Sequence, residues 1–506
     1  MIFNSFEFLF LFLPGVLLTY YLARRYISHW TALSLLAAAS FFFYAWWDVS
    51  RAPWHELNGW SIESLIRSLW FVRHVLLLLG SVIINHIVAR LMRRWGNQPL
   101  LAVGIIFNLS LLGFFKYADF LASNINALTG LDLPELGLGL PLAISFFSFQ
   151  QISYLVDVAR RKTEPGRFFA HALFVSFFPH IVAGPLIQHH QIASQFNDTT
   201  RKDDIWDNLG VGLSLFAIGL AKKVLIAESI EPYASSLFAM AERGDTPGLV
   251  AAWLGATAYA LQIFFDFSGY SDMALGLARC LGFRLPVNFN GPYKSASIVE
   301  FWRRWHITLS HFLRDHLYIP LGGNRHGETR RSINLMATML LGGLWHGAAW
   351  TFVIWGGLHG LGLTVNHYWA KWGPKGWFDG HRRFLAIGLT FAFTTIAWVF
   401  FRAESWTGAG RILAGMFGFS GLGLEGVSGE LVIWVAFGLG LVWSLPDTPE
   451  LFADVLDEQT LKDAQIKPKP GPRWRFTHWA AIGAAVLLFL SVLNAWKTSE
   501  FIYYTF

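Results

Sequence analysis

The sequence predicts an all-α, polytopic integral membrane protein, and three observations carry that prediction. Of its 506 residues, 54% are hydrophobic and only 14% are charged, whereas soluble domains carry about 25% charged residues. Apolar runs of roughly spanning length recur from end to end. Lys and Arg fall in short clusters between them: Arg24-Arg25, Arg90-Arg93-Arg94, Arg160-Arg161-Lys162 and Lys222-Lys223. Such clusters mark cytoplasmic loops under the positive-inside rule. The same pattern argues against nucleic acid as a partner despite a net charge of +6, because no basic face or stripe forms. Disorder is excluded by the apolar content, and a disulfide framework by Cys280, the single cysteine. Cys280 lies in LARCLGF and reads as a buried structural thiol.

The first run lacks a basic segment ahead of it and a small-residue cleavage site, so residues 7–23 read as a retained span, N-terminus outside and Arg24-Arg25 inside. Further runs lie near 30–46, 70–89, 99–115, 139–158, 168–187, 208–225, 247–265, 333–350, 352–369, 384–401, 430–446 and 478–496. A crossing needs about 20 mostly apolar residues, so not every run qualifies, and about 11 spans are expected. Pro141, Pro179 and Pro185 make the runs at 139–158 and 168–187 candidates for broken or re-entrant segments. Asp207 or Asn208 is a candidate cap for the helix that follows the loop at 197–207. The Pro/Lys-rich stretch within 447–476 reads as a loop before the last span. Neither a short repeat nor two matching halves is visible, so the chain reads as one domain, 1–506, rather than an array or an inverted-repeat transporter.

Polar residues inside an apolar chain are costly, and they concentrate between about 260 and 360. In DFSGYSDMALG, Asp266 and Asp272 need a partner, a water-filled cavity or a proton, or else one of them caps a helix. Asp266, directly after the run LQIFF, and Tyr270 are candidate substrate-binding residues. The segment EFWRRWHITLSHFLRDHLYIPLGGNR, 300–325, is too polar to cross a bilayer unaided. Its apolar residues form no single helical stripe, so it reads as an element lying in the interface or entering a cavity. His306, His311 and His316 stand five apart, about 140° round a helix, and do not converge on a metal ion. In LLGGLWHGAAW, His346 interrupts a run of small and apolar residues, whose glycines permit close helix crossings. His359, thirteen residues on, falls about 220° round a continuous helix and is expected to point elsewhere.

FWRRWHITLS, DFSGYSDMA and LWHGAAW together resemble the membrane-bound O-acyltransferase family, in particular its bacterial polysaccharide branch. MIFNSFEFLFLFLP, PLAISFFSFQQISYLVDV, FFPHIVAGPLIQ, WVFFRAES and the terminal FIYYTF fit that branch too, so the resemblance runs from Met1 to Phe506. It implies a multi-pass protein of the bacterial inner membrane with a funnel-shaped core, re-entrant or interfacial helices, and no permanently bound cofactor or metal. It further implies acetyl-CoA as donor, periplasmic acyltransferase partners, and an exported polysaccharide such as alginate as acceptor. His346 falls on the family's catalytic histidine and His306 on its second signature position. The chemistry fits, because a hydroxyl is a weak nucleophile until a base removes its proton, and imidazole suits that task near neutral pH. Arg303 and Arg304 at the mouth could attract CoA phosphates or simply mark a cytoplasmic surface. Asn324, Trp305 and Trp350 complete the candidate substrate-binding set. Teichoic acid D-alanylation or peptidoglycan acetylation is the alternative within the family, and a transporter with a histidine proton path the alternative outside it.

Overall fold

A computed structural model describes residues 1–50, 72–95, 98–199, 204–466, 472–495 and 501–502. Helices account for all regular structure among them. Seven are long and apolar enough to cross a membrane: Phe8–Tyr26, His29–Val49, Arg73–Trp95, Gln98–Thr129, Ile205–Arg243, Leu249–Cys280 and Gly380–Arg402. Gly429–Ser444 and His478–Asn494 are apolar but shorter. The Pro/Lys-rich tract at 467–471 and most of FIYYTF lie outside the described residues. The chain divides into two compact units, Met1–Leu213 with Ala274–Leu285, and Ser214–Met273 with Pro286–Phe506.

In the first unit only one of the two proline-bearing runs is broken. The run at 168–187 is helical only over Phe168–Ser176, and irregular backbone follows as far as Ile187 with every residue buried. Unpaired backbone is tolerated in a membrane protein only where protein covers it. The run at 139–158 becomes Ile144–Ala159, buried on nearly all sides, which makes it a core helix rather than a lipid-facing span. Asn85 and Asn108 exchange amide hydrogen bonds at 2.7 and 3.3 Å, tying helix Arg73–Trp95 to its successor, because a lone buried amide would be costly. The helix expected to start behind Asp207 or Asn208 starts at Ile205 instead. Asp204 takes the N–H groups of Trp206 and Asp207 at 2.9 and 3.3 Å and so serves as the cap.

In the second unit the helix from Leu249 does not end at the DFSGYSDMA segment. Asp266 and Asp272 stand within it, so neither is a cap. Lys222 and Lys223, read above as a loop cluster, lie in a π-helical turn within Ile205–Arg243. A Cβ on Gly219 would come within 2.5 Å of the Gly269 carbonyl, and one on Gly269 within 2.7 Å of the Gly219 carbonyl. That glycine crossing brings the two lysines to the two aspartates. Lys222 pairs with Asp272 at 2.8 Å and Lys223 with Asp266 at 2.6 Å.

The segment at 300–325 is a chain of short pieces, Ile298–Trp302, Ile307–Leu313 and a π turn at Arg314–Tyr318. Phe301, Trp305, Ile307, Leu309 and Phe312 are all buried. They show no helical stripe because the helix is broken at 303–306.

Candidate active site

His346 is the last residue of helix Gly327–His346 and is buried. Gly347 then turns extended, with φ −160° and ψ 150°, and the chain re-enters a helix at Trp350–Trp372. The two helices touch backbone to backbone. A Cβ on Gly343 would fall 2.2 Å from the Phe352 carbonyl, and one on Gly356 2.2 Å from the Met339 carbonyl. Glycine at both positions is what permits this approach. The His346 imidazole is thereby held in an aromatic socket, 4.9 Å from the Trp345 ring, 5.1 Å from Trp355 and 5.1 Å from Phe401.

His306 also neighbours Trp345, its ring centroid 6.4 Å away. It occupies the break ahead of helix Ile307–Leu313 with φ 43° and ψ 54°, a left-handed conformation that non-glycine residues adopt mainly where surrounding structure enforces it. The edge of Phe267 meets its ring at 4.8 Å. Burial pushes its pKa down to about 3, because an imidazolium loses its hydration there.

A cleft of about 520 Å³ is lined among others by Lys223, Asp266, Phe352, Phe401, Phe501 and Ile502. Phe352 and Phe401 pack at 5.0 Å, so the ring that edges His346 also faces the cleft. Asp266 is engaged twice, by Lys223 and by the Ile502 N–H at 3.0 Å. Lys223 also reaches Glu228 at 3.5 Å.

The remaining candidates divide. Tyr270 is buried with its ring 4.8 Å from Phe501. Trp305 is a packing residue, stacked on Phe301 at 5.7 Å and against Trp398 at 4.9 Å. Arg304 is engaged by Glu300 at 2.8 Å. Arg303, Asn324 and Trp350 are exposed and do not join the histidines. Among the described residues no group of three His, Cys, Asp or Glu side chains is placed to hold a metal ion.

The expectation that His359 points away from His346 rested on a premise that the structure replaces. The angle of 220° assumed one continuous helix, but the chain breaks at Gly347 and folds back. Trp355 lies 5.1 Å from His346 and 4.7 Å from His359. His359 Nδ1 accepts from the Trp302 indole N–H at 3.2 Å. The signal available in the sequence was the glycine and two alanines after His346, which permit a reversal as well as a crossing.

The membrane-bound O-acyltransferase family model matches residues 26–404. The chain belongs to that family. It is a multi-pass membrane O-acyltransferase, and the resemblance read from its motifs holds. It is 39% identical over 462 residues to the peptidoglycan O-acetyltransferase of Helicobacter pylori, covering 85% of this chain and 82% of that one. It is 42% identical over 426 residues to a probable alginate O-acetylase of Azotobacter vinelandii, covering 83% and 78%. The teichoic acid D-alanyltransferase of Bacillus subtilis is 28% identical over 275 residues, covering 52% of this chain and 69% of that one.

Proposed function

We propose that the chain takes an acetyl group from cytoplasmic acetyl-CoA and passes it across the bacterial inner membrane toward hydroxyls of an exported polysaccharide such as alginate. Periplasmic partner acyltransferases complete the transfer. The observation that carries this reading is that the rings of His306 and His346 both neighbour Trp345, at 6.4 and 4.9 Å, while Phe401, which edges His346, lines a cleft of about 520 Å³. His346 acts as general base. It takes the proton of the attacking hydroxyl while that oxygen bonds to the acyl carbon. The thioester C–S bond breaks, and the departing thiolate receives the proton. Base assistance of this kind is worth about 10²–10⁴-fold. His306 orients the reacting groups.

Further parts of the reading concern access. About eleven crossings would surround a funnel-shaped core reachable from both faces, since the donor is cytoplasmic and the acceptor exported. Arg303, Arg304, Asn324 and Trp350 would serve the donor mouth, while Asp266, Tyr270 and Trp305 would shape the inner site. Peptidoglycan is the second acceptor reading, favoured by the coverage of the Helicobacter pylori relative.

Sealed membrane vesicles of both orientations test donor and direction together. With radiolabelled acetyl-CoA outside inside-out vesicles that carry the partners, label is expected in alkali-labile esters of the lumen. Right-side-out vesicles given the same external donor should incorporate none. Equal labelling in both orientations would overturn the proposed direction, and none in either would overturn the donor.

A further inference from the structure

We infer that Asn288 is a positioning residue for acyl transfer. It fixes which nitrogen of His306 carries the proton and leaves Nε2 as a hydrogen-bond acceptor for a second hydroxyl of the incoming acceptor, next to the one whose proton His346 takes. The inference rests on the reading of His306 as a working residue and makes its role definite. An imidazole with a bare Nε2 can receive a hydrogen bond from an acceptor alcohol. It cannot donate one to the acyl carbonyl.

The argument starts with the backbone. The stretch 286–291 runs beside the break that holds His306, and two hydrogen bonds clamp it there. Asn290 N–H donates to the Arg304 carbonyl at 3.0 Å, and Ile307 N–H to the Asn288 carbonyl at 3.0 Å. The Asn288 side chain is buried. Its Oδ1 faces the Thr308 hydroxyl at 3.0 Å, the Thr308 backbone N–H at 3.4 Å and His306 Nδ1 at 3.1 Å. A backbone N–H can only donate, so the amide atom facing it is the oxygen. Nδ1 faces that same oxygen and must therefore donate. A neutral imidazole has one N–H, which leaves the lone pair on Nε2. The other end of the amide is anchored as well, its Nδ2 donating to Ser271 Oγ at 3.3 Å.

His306 Nε2 is fully buried and meets no hydrogen-bond partner among the described residues. A buried acceptor left unmatched is destabilising, and an arriving hydroxyl would relieve it. Free imidazole in water favours the opposite tautomer, so Asn288 holds the ring in its minority form. The elements packed against the ring face it with Phe267, Trp345, Asn288 and Thr308, none of them charged. The carboxylates flanking Phe267 on its helix, Asp266 and Asp272, are each paired with a lysine, and His346 lies beyond Trp345.

Two readouts test this on the full chain in lipid nanodiscs. In spectra of ¹⁵N-histidine-labelled protein, the signals lost in H306Q should be those of a ring protonated at Nδ1 and bare at Nε2. In acetyl transfer, N288D keeps an acceptor facing Nδ1–H, so turnover should stay within about 10-fold of the parent. N288L removes the acceptor and should lower kcat by about 10–100-fold with KM little changed. The carboxylate of N288D also favours imidazolium, so the acid limb of its pH profile should move to higher pH. A purely structural role would not produce that shift. A bare Nδ1 in the natural chain, or an N288D profile superimposed on the parent's, overturns the inference even if N288L does not fold. If H306Q is inactive while either of those results is found, this inference alone falls. If H306Q keeps full activity, the role proposed for His306 falls and takes the inference with it.

Discussion

Gly347 shows how little room the geometry around His346 leaves. A Cβ there would lie 2.1 Å from Phe352 Cε2, and Phe352 in turn packs on Phe401, the ring that edges the histidine. G347A must therefore displace Phe352. Overpacking of that kind costs about 1–3 kcal/mol, and the expected result is a lower midpoint of thermal unfolding in detergent together with reduced transfer. An unchanged midpoint with full activity would mean that Phe352 moves aside freely. At this scale His346 stood out in the sequence as a histidine among small and apolar residues, whereas His306 was singled out only by the family resemblance. Asn288 was not legible. Asn288 belongs to a stretch, PVNFNGPY, that reads only as a loop, and its partner His306 is reached through a chain reversal. His359 was dismissed on helical geometry that the break at Gly347 removes.

Between elements, the buried lysine–aspartate pairs connect helix Ile205–Arg243 to helix Leu249–Cys280. Lys223 and Asp266 are 7% and 2% exposed at their side chains, so removing one partner leaves a charge with little water to solvate it. D266A is expected to destabilise the protein by about 3–5 kcal/mol, as loss of one member of a buried pair does. The double variant D266A/K223M should recover most of that, read as the fraction surviving a heat step by fluorescence-detected size exclusion. If the double variant is as labile as the single one, the ion pair is not what Asp266 contributes. If stability returns but transfer does not, Asp266 has a separate role toward substrate. The sequence made each charge visible but not the pairing, since Lys222-Lys223 looks like any loop cluster. What decides the matter is Gly219 against Gly269, which lets the backbones close and turns two apparent loop charges inward. Helix ends were equally hard to place. The proline breaks near 179 and 185 were legible, because proline removes a donor whatever surrounds it, whereas the cap at Asp204 depended on which of several polar residues met the first turn.

Over the whole chain, composition gave the class correctly because the solvent is lipid. Large apolar side chains remain on the outside, Leu11 at 73%, Phe489 at 62% and Phe384 at 79% exposure, as a bilayer-facing surface requires and a monomeric soluble protein rarely shows. The number of crossings was less legible, since buried core helices such as Ile144–Ala159 carry the same apolar run as a span but are covered by protein rather than lipid. The family was legible from motifs spread along the full length, and the match over residues 26–404 agrees. The central claim is that this membrane protein transfers acyl groups with His346 as the indispensable base. The most direct measurement is base-labile acetate on the exported polysaccharide of cells producing the natural chain or H346A at matched membrane abundance. The account predicts that acetate is lost in H346A while the protein remains folded and inserted. Acetate persisting at the natural level would contradict it.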